Sequence, residues 1–311
     1  MTESSDQNGD DPRGLALAVA TYGLWGFLPL YMKALQVVPP TQIIVHRVLW
    51  SLPIAFAVLW VQHRARDVLQ ALRQPRLLAM AALTAALISV NWLIYVWAIV
   101  NDHALQAALG YYINPLFSIF LGWAMLGERL NRPQVAAIVL AATAVAILTW
   151  EAGSLPLVSL GLTFSWGFYA YFKRSLPLGP TQGFTLEVIL LMPIALAYLA
   201  WVTANGTSAF DDSWTLALLL IGCGPITAVP LLMYATAAKL VRLSTMGVLQ
   251  YIAPTMIFLT AVLIFGEPFD GAKRIAFPLI WAALVIYSVT LIRQARVRRR
   301  TRRELAAQRA Q

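Results

Sequence analysis

The chain of 311 residues is 59% hydrophobic and only 12% charged, with 23 basic against 14 acidic side chains and a formal net charge of +9. An ordinary soluble domain is about a quarter charged, so a water-soluble globule is excluded and the bilayer is the solvent this composition suits. One cysteine, Cys223, and three scattered histidines, His46, His63 and His103, exclude a disulfide framework and a metal site, and no G-x-x-x-x-G-K-[ST] run is present to bind ATP.

Residues 1–13 begin with an acidic stretch that lacks the basic start of a signal peptide, and are expected to form a short disordered cytoplasmic tail. Beyond it, apolar windows long enough to cross about 30 Å of hydrocarbon as a helix fall at 14–35, 41–61, 77–99, 104–126, 133–150, 155–174, 181–203, 214–238, 243–266 and 273–293. Short connectors carry the breakers, among them Pro39 and Pro40, Pro75, Asn131 to Pro133, Gly179 and Pro180, and Asp270 with Gly271. The expected fold is therefore an all-α integral membrane protein of ten transmembrane helices. Residues 294–311 form a basic tail, either a lipid-binding element or a last positive anchor; nucleic-acid binding does not suit a tail attached to ten spans.

Retained Lys and Arg set the orientation of a multispanning chain. With the N-terminus inside, nineteen of the 23 basic residues fall on cytoplasmic segments, the exceptions being Lys33, Arg47, Lys273 and Arg274. Both termini are accordingly expected in the cytoplasm.

The two halves of the chain are copies. TQIIVHRVLWSLPIAFA from Thr41 lies over TQGFTLEVILLMPIALA from Thr181 at an offset of 140. Tyr112-Ile113-Asn114-Pro115 lies over Tyr251-Ile252-Ala253-Pro254, Gly127-Glu128 over Gly266-Glu267, and Tyr95 over Tyr234, all at 139. Trp25-Gly26-Phe27 lies over Trp166-Gly167-Phe168 at 141. The repeats are then 14–151 and 152–293 with five spans each, and an odd number of spans makes the second copy enter from the opposite face. Two inverted copies around a central cleft are the geometry of alternating access, which no scaffold requires.

At Leu109-Gly110-Tyr111-Tyr112-Ile113-Asn114-Pro115 with Gly127-Glu128-Arg129, and at Gln250-Tyr251-Ile252-Ala253-Pro254 with Gly266-Glu267, the chain resembles the EamA family of the drug/metabolite transporter superfamily. His46-Arg47 and Asn91-Trp92 extend the likeness to its RarD branch, which is named for a chloramphenicol-sensitivity phenotype. The resemblance runs from about Gly14 to about Arg293. It implies ten helices in a 5 + 5 inverted arrangement in the bacterial cytoplasmic membrane, working as a permease or exporter. It implies no particular cargo.

Charge inside a span costs at least about 2.5 to 3.5 kcal/mol, which singles out Arg47 and Glu187. They hold one slot in the two repeats, each about 9 Å from its Thr-Gln start. In an inverted pair, that leaves them about 12 Å apart along the membrane normal, too far for direct pairing. Arg47 suits a substrate carboxylate and Glu187 an amine or a proton, against a reading in which each ties down a helix end. His46 points about 100° away from Arg47 and is a candidate proton relay. Gln106, Gly110, Asn114, Ser118 and Gly122 form a stripe at four-residue spacing, a packing seam or a cavity wall. Asn114 before Pro115 and Gln250 before Pro254 mark interrupted backbone. Asn91, Trp92 and Tyr95, with Tyr112, Tyr234 and Tyr251, suit a cavity for an amphipathic solute. Trp25, Trp166, Pro115, Pro254, Glu128 and Glu267 are read as frame.

These residues favour a secondary transporter of small solutes, with the bilayer as surroundings, the proton as candidate coupling ion and no cofactor. Monomer and homodimer both remain open. The alternatives are an intramembrane enzyme acting on a lipid, for which no acid, base or metal constellation converges, and a sensor or structural subunit, which gives the duplication no purpose.

Overall fold

The structure is a computed structural model that describes residues 11–127, 129–241 and 243–309. Glu128, read above as frame, lies outside the described residues. Everything described is helix, turn or loop. The order is α1 (Pro12–Ala34), α2 (Pro40–Val61), the short α3 (Ala65–Ala71), α4 (Pro75–Val100), α5 (Ala104–Leu126), α6 (Arg132–Ala152), α7 (Leu157–Ser175), α8 (Pro180–Ala204), α9 (Trp214–Leu240), α10 (Leu243–Leu249), α11 (Ile252–Leu259), a π turn over Thr260–Ile264, and α12 (Lys273–Arg309).

Eight of these, α1, α2, α4, α5, α6, α8, α9 and α12, are long and apolar enough to cross a bilayer. The two remaining expected spans differ for physical reasons. α7 has 19 residues and carries Ser159, Thr163, Ser165, Lys173 and Arg174, so it is less apolar than the helices on either side of it. Window 243–266 is not one helix: it stops at Leu249, turns through Gln250 and Tyr251, and resumes as α11 and the π turn. α3 fills a connector that its breakers marked as loop.

Local signals set the ends. Proline occupies the first turn of α1, α2, α4, α6 and α8, where its missing N–H is an orphan in any case. Asn131 and Gln134 close a capping box on α6, and Ser213 caps α9. Gly127 and Gly153 end α5 and α6 with φ of 66° and 62°, a left-handed turn that glycine adopts without strain. Trp60, Trp150, Trp201 and Trp214 sit exposed at helix ends, as an interfacial aromatic belt requires.

Packing is reciprocal. α1 lies on α9 and α11 while α7 lies on α4 and α5; α2 lies on α9 while α8 lies on α4; α2 and α8 pack on each other, as do α6 and α12. The details repeat as well. A Cβ on Gly26 would stand 2.6 Å from the Met256 side chain, and one on Gly167 would collide with Phe117. Phe117 and Met256 are themselves 139 positions apart. Gln42 bonds the Thr207 carbonyl and the Ala209 N–H in the connector after α8, and Gln182 bonds Asp67 in the connector after α2.

Candidate functional site

α1, α2, α4, α5, α7, α8, α9 and α11 surround a cavity of about 170 Å³; among the described residues, none that lines it belongs to α6 or α12. The wall is built from residues at the repeat offsets, including Trp25 with Trp166, Arg47 with Glu187, Ile88 with Thr227 and Asn114 with Ala253. Residues offset by 139 to 141 positions, from both halves of the sequence, thus flank the void.

α2 buries Arg47 to 4% exposure. Its Nε donates to the Thr227 hydroxyl at 3.0 Å, and its guanidinium lies over the Trp92 ring at 4.6 Å. Its Nη1 has no hydrogen-bond partner. α8 places Glu187 in the same cavity at 2% exposure, but Glu187 is engaged: Lys173 Nζ stands 2.6 Å from one oxygen and the Tyr169 hydroxyl donates to the other at 3.4 Å. The two span charges therefore share a cavity without pairing to each other.

Asn91 on α4 is held by three bonds. Its amide donates to the Leu162 carbonyl at 3.1 Å and the Ser165 hydroxyl at 2.9 Å, and its oxygen accepts from Tyr111 at 3.3 Å. These fix α4 on α7 and leave Asn91 as a strut at the cavity edge. Tyr95 presents a buried hydroxyl and Asn114 a buried Oδ1, both without partners. Gln250 and Pro254 complete the wall beside the break before α11. The α5 stripe divides. Gln106 and Gly110 accept from Ser159 and Thr163 across a seam with α7, whereas Asn114 faces the cavity.

Other candidates stand elsewhere. His46 turns away from the cavity, accepting from Trp50 at 3.2 Å and stacking on Phe210 at 5.2 Å. Tyr112 bonds Thr255 at 2.8 Å and packs edge-on against Phe277 and Trp281, outside the wall. Tyr234 backs Tyr22 and Trp25 from behind, Tyr251 sits in the turn before α11, and Pro115 is buried within α5. Glu267 accepts from the Ala104 and Leu105 N–H groups at 2.5 and 2.9 Å, at the N-terminus of α5 and 163 positions from Ala104. Trp25, Trp166 and Pro254, expected as frame, instead line the cavity.

Residues 12–150 match the EamA-like transporter family. A protein named RarD from Salmonella typhi is 41% identical to this chain, over 90% of the chain and 96% of its own length. This chain is a RarD-like member of the EamA-like transporter family. An uncharacterized transporter of Vibrio cholerae is 40% identical over 97% of this chain and all of its own. A chloramphenicol-sensitive protein RarD of Pseudomonas aeruginosa is 32% identical over 88% and 93%. One crystal structure, at 20% identity, shares the fold with a TM-score of 0.58 over 92% of this chain and 98% of its own. The RarD-like chain is thus a membrane transporter of the drug/metabolite type, a multi-pass protein of the bacterial inner membrane.

Four wall residues of this EamA-family protein carried no sequence signal strong enough to select them: Tyr22, Tyr111, Tyr169 and Thr227. Tyr111 is the repeat partner of Gln250 at 139, and Tyr22 and Tyr169 lie one turn from Trp25 and Trp166. Applying the offset to each candidate's partner, and the helical period to each candidate's neighbours, reaches those three.

Proposed function

We propose that this chain is a secondary transporter that moves small amphipathic solutes by alternating access, with the cavity between two inverted five-helix repeats as its solute site. The observation that carries this reading is the cavity wall, contributed by residues of both halves at the repeat offsets and, among the described residues, by none from α6 or α12. A site on the axis between inverted copies is exposed to either face by rocking one copy on the other. Reciprocal packing of α1 with α11 and α7 with α5 supports the same symmetry. In this reading α7 is the sixth span, α10 to the π turn is the interrupted ninth, and both termini are cytoplasmic.

Arg47, Glu187, Trp92, Tyr95, Asn114 and Gln250 form the solute pathway, with Asn91 holding its edge. Glu187 with Lys173 and Tyr169 is the candidate proton site, since protonating the carboxylate releases the lysine. The enzyme alternative gains nothing from this geometry: one cavity charge is spent on an ion pair, and the relatives carry transporter names.

Purified protein in liposomes, loaded with a panel of labelled metabolites and assayed for counterflow with and without a pH gradient, tests the reading. Counterflow of at least one solute is expected, and a panel in which nothing moves overturns it. Glu187→Gln should abolish pH-driven accumulation while sparing exchange; unchanged accumulation removes Glu187 from proton coupling.

A further inference from the structure

We infer that Arg47 forms a carboxylate subsite and that the cavity's solute is a small monoanion with a flat, ring-sized apolar body. This deepens the transport reading and rests on it only for movement, because binding is argued from the cavity itself.

Charge bookkeeping comes first. Among the described residues the ion pairs are Lys33 with Asp102 and Lys173 with Glu187, so no carboxylate pairs with Arg47. A buried cation without a counter-ion is costly, and Arg47, which lines the cavity, keeps a buried Nη1 without a hydrogen-bond partner. Glu187, the cavity's own carboxylate, is already neutralised at 2.6 Å by Lys173. Among the described residues the cavity therefore carries one unmatched positive charge. A neutral solute or a zwitterion leaves that charge unmatched; a monoanion cancels it. A dianionic phosphate overshoots, adding negative charge to a void that already contains Glu187.

Shape narrows the class. The guanidinium is a planar fork that matches a carboxylate, and Trp92 beneath it with Thr227 at Nε fixes the plane of that fork. The Tyr95 hydroxyl, buried and unpartnered, supplies a further donor, and Asn114 Oδ1 an acceptor for a polar substituent. The rings of Tyr111 and Trp166 form the wall against which a flat body lies, meeting edge to face at 6.5 Å. A volume of about 170 Å³ is below the ~300–1,000 Å³ usual for drug-sized ligands, which suits a single ring and excludes a nucleotide.

The test is isothermal titration of the full chain in nanodiscs with benzoate, benzamide and phenylalanine, an anion, a neutral isostere and a zwitterion. Benzoate is expected to bind at least about tenfold more tightly than the other two. Arg47→Gln should lose that preference and Arg47→Lys recover part of it, since lysine keeps the charge without the fork. Where Arg47→Gln fails to fold, the ligand series on the unaltered protein decides alone. Benzamide binding as tightly as benzoate, undiminished benzoate binding by Arg47→Gln, absence of benzoate binding, or displacement of benzoate by equimolar chloride would each overturn the subsite. Arg47-dependent benzoate binding without counterflow of labelled benzoate leaves the subsite standing and sinks transport. Counterflow of a neutral solute with no benzoate binding does the reverse.

Discussion

Arg47 on α2 and Glu187 on α8 occupy the same register of two repeats, and the fold treats their charges in opposite ways. Glu187 is held by Lys173 and Tyr169 within its own half. Arg47 reaches across to the other half, to Thr227 on α9, and finds a hydroxyl rather than a counter-charge. The frame around them does not share this asymmetry: glycines at repeat-related positions admit Met256 on one side and Phe117 on the other. At these offset positions the packing is alike while the chemistry differs.

The sharpest way to break that contrast is to remove each charge in turn. Glu187→Leu strands Lys173, and breaking a buried pair costs about 3–5 kcal/mol. The lower end is expected because the Lys173 side chain keeps 22% exposure. Adding Lys173→Leu should restore most of the loss. Arg47→Leu, by contrast, removes a charge with no counter-charge; losing the Thr227 and Trp92 contacts is offset by relief of the desolvation cost, and the unfolding free energy in detergent should change by less than about 1 kcal/mol. Equal losses at the two sites would erase the contrast.

The frame is tested next. Gly26→Val and Gly167→Val each overfill a close helix contact and should cost about 1–3 kcal/mol, with similar drops in thermal midpoint. A large cost at one and none at the other would mean that the halves pack differently after all. Thr227→Val removes the hydroxyl that holds Nε, and should cost about 0.5–1.5 kcal/mol, read as chemical denaturation. The smallest effect is expected at Trp92→Phe, which keeps a ring under the guanidinium but weakens the cation–π contact by under about 1 kcal/mol.

Much of this was legible before folding. Charge and amide groups inside apolar windows are too costly to be accidental, which is why Arg47, Glu187, Asn91 and Asn114 stand out in one dimension. Aromatic residues give no such warning, since a tyrosine in a span reads equally as belt, core or wall. Only the docking of one copy on the other decides that Tyr169 faces the void while Tyr112 packs on Phe277. Proline is similarly ambiguous. Pro115 and Pro254 hold matching positions and each removes one backbone donor, yet α5 runs unbroken past the first while the matching span breaks just before the second. A proline at the matching position does not by itself decide which helix opens.

α12 carries a mechanical consequence. At about 1.5 Å per residue its 37 residues extend some 55 Å, nearly twice the ~30 Å of hydrocarbon. Its apolar stretch ends at Ile292, before an arginine-rich run, so the following turns are expected to stand clear of the bilayer as a mast, its foot packed with α6. Because that foot lies outside the cavity, a probe fixed to the mast would record tilting of the α6–α12 pair while leaving the solute site untouched.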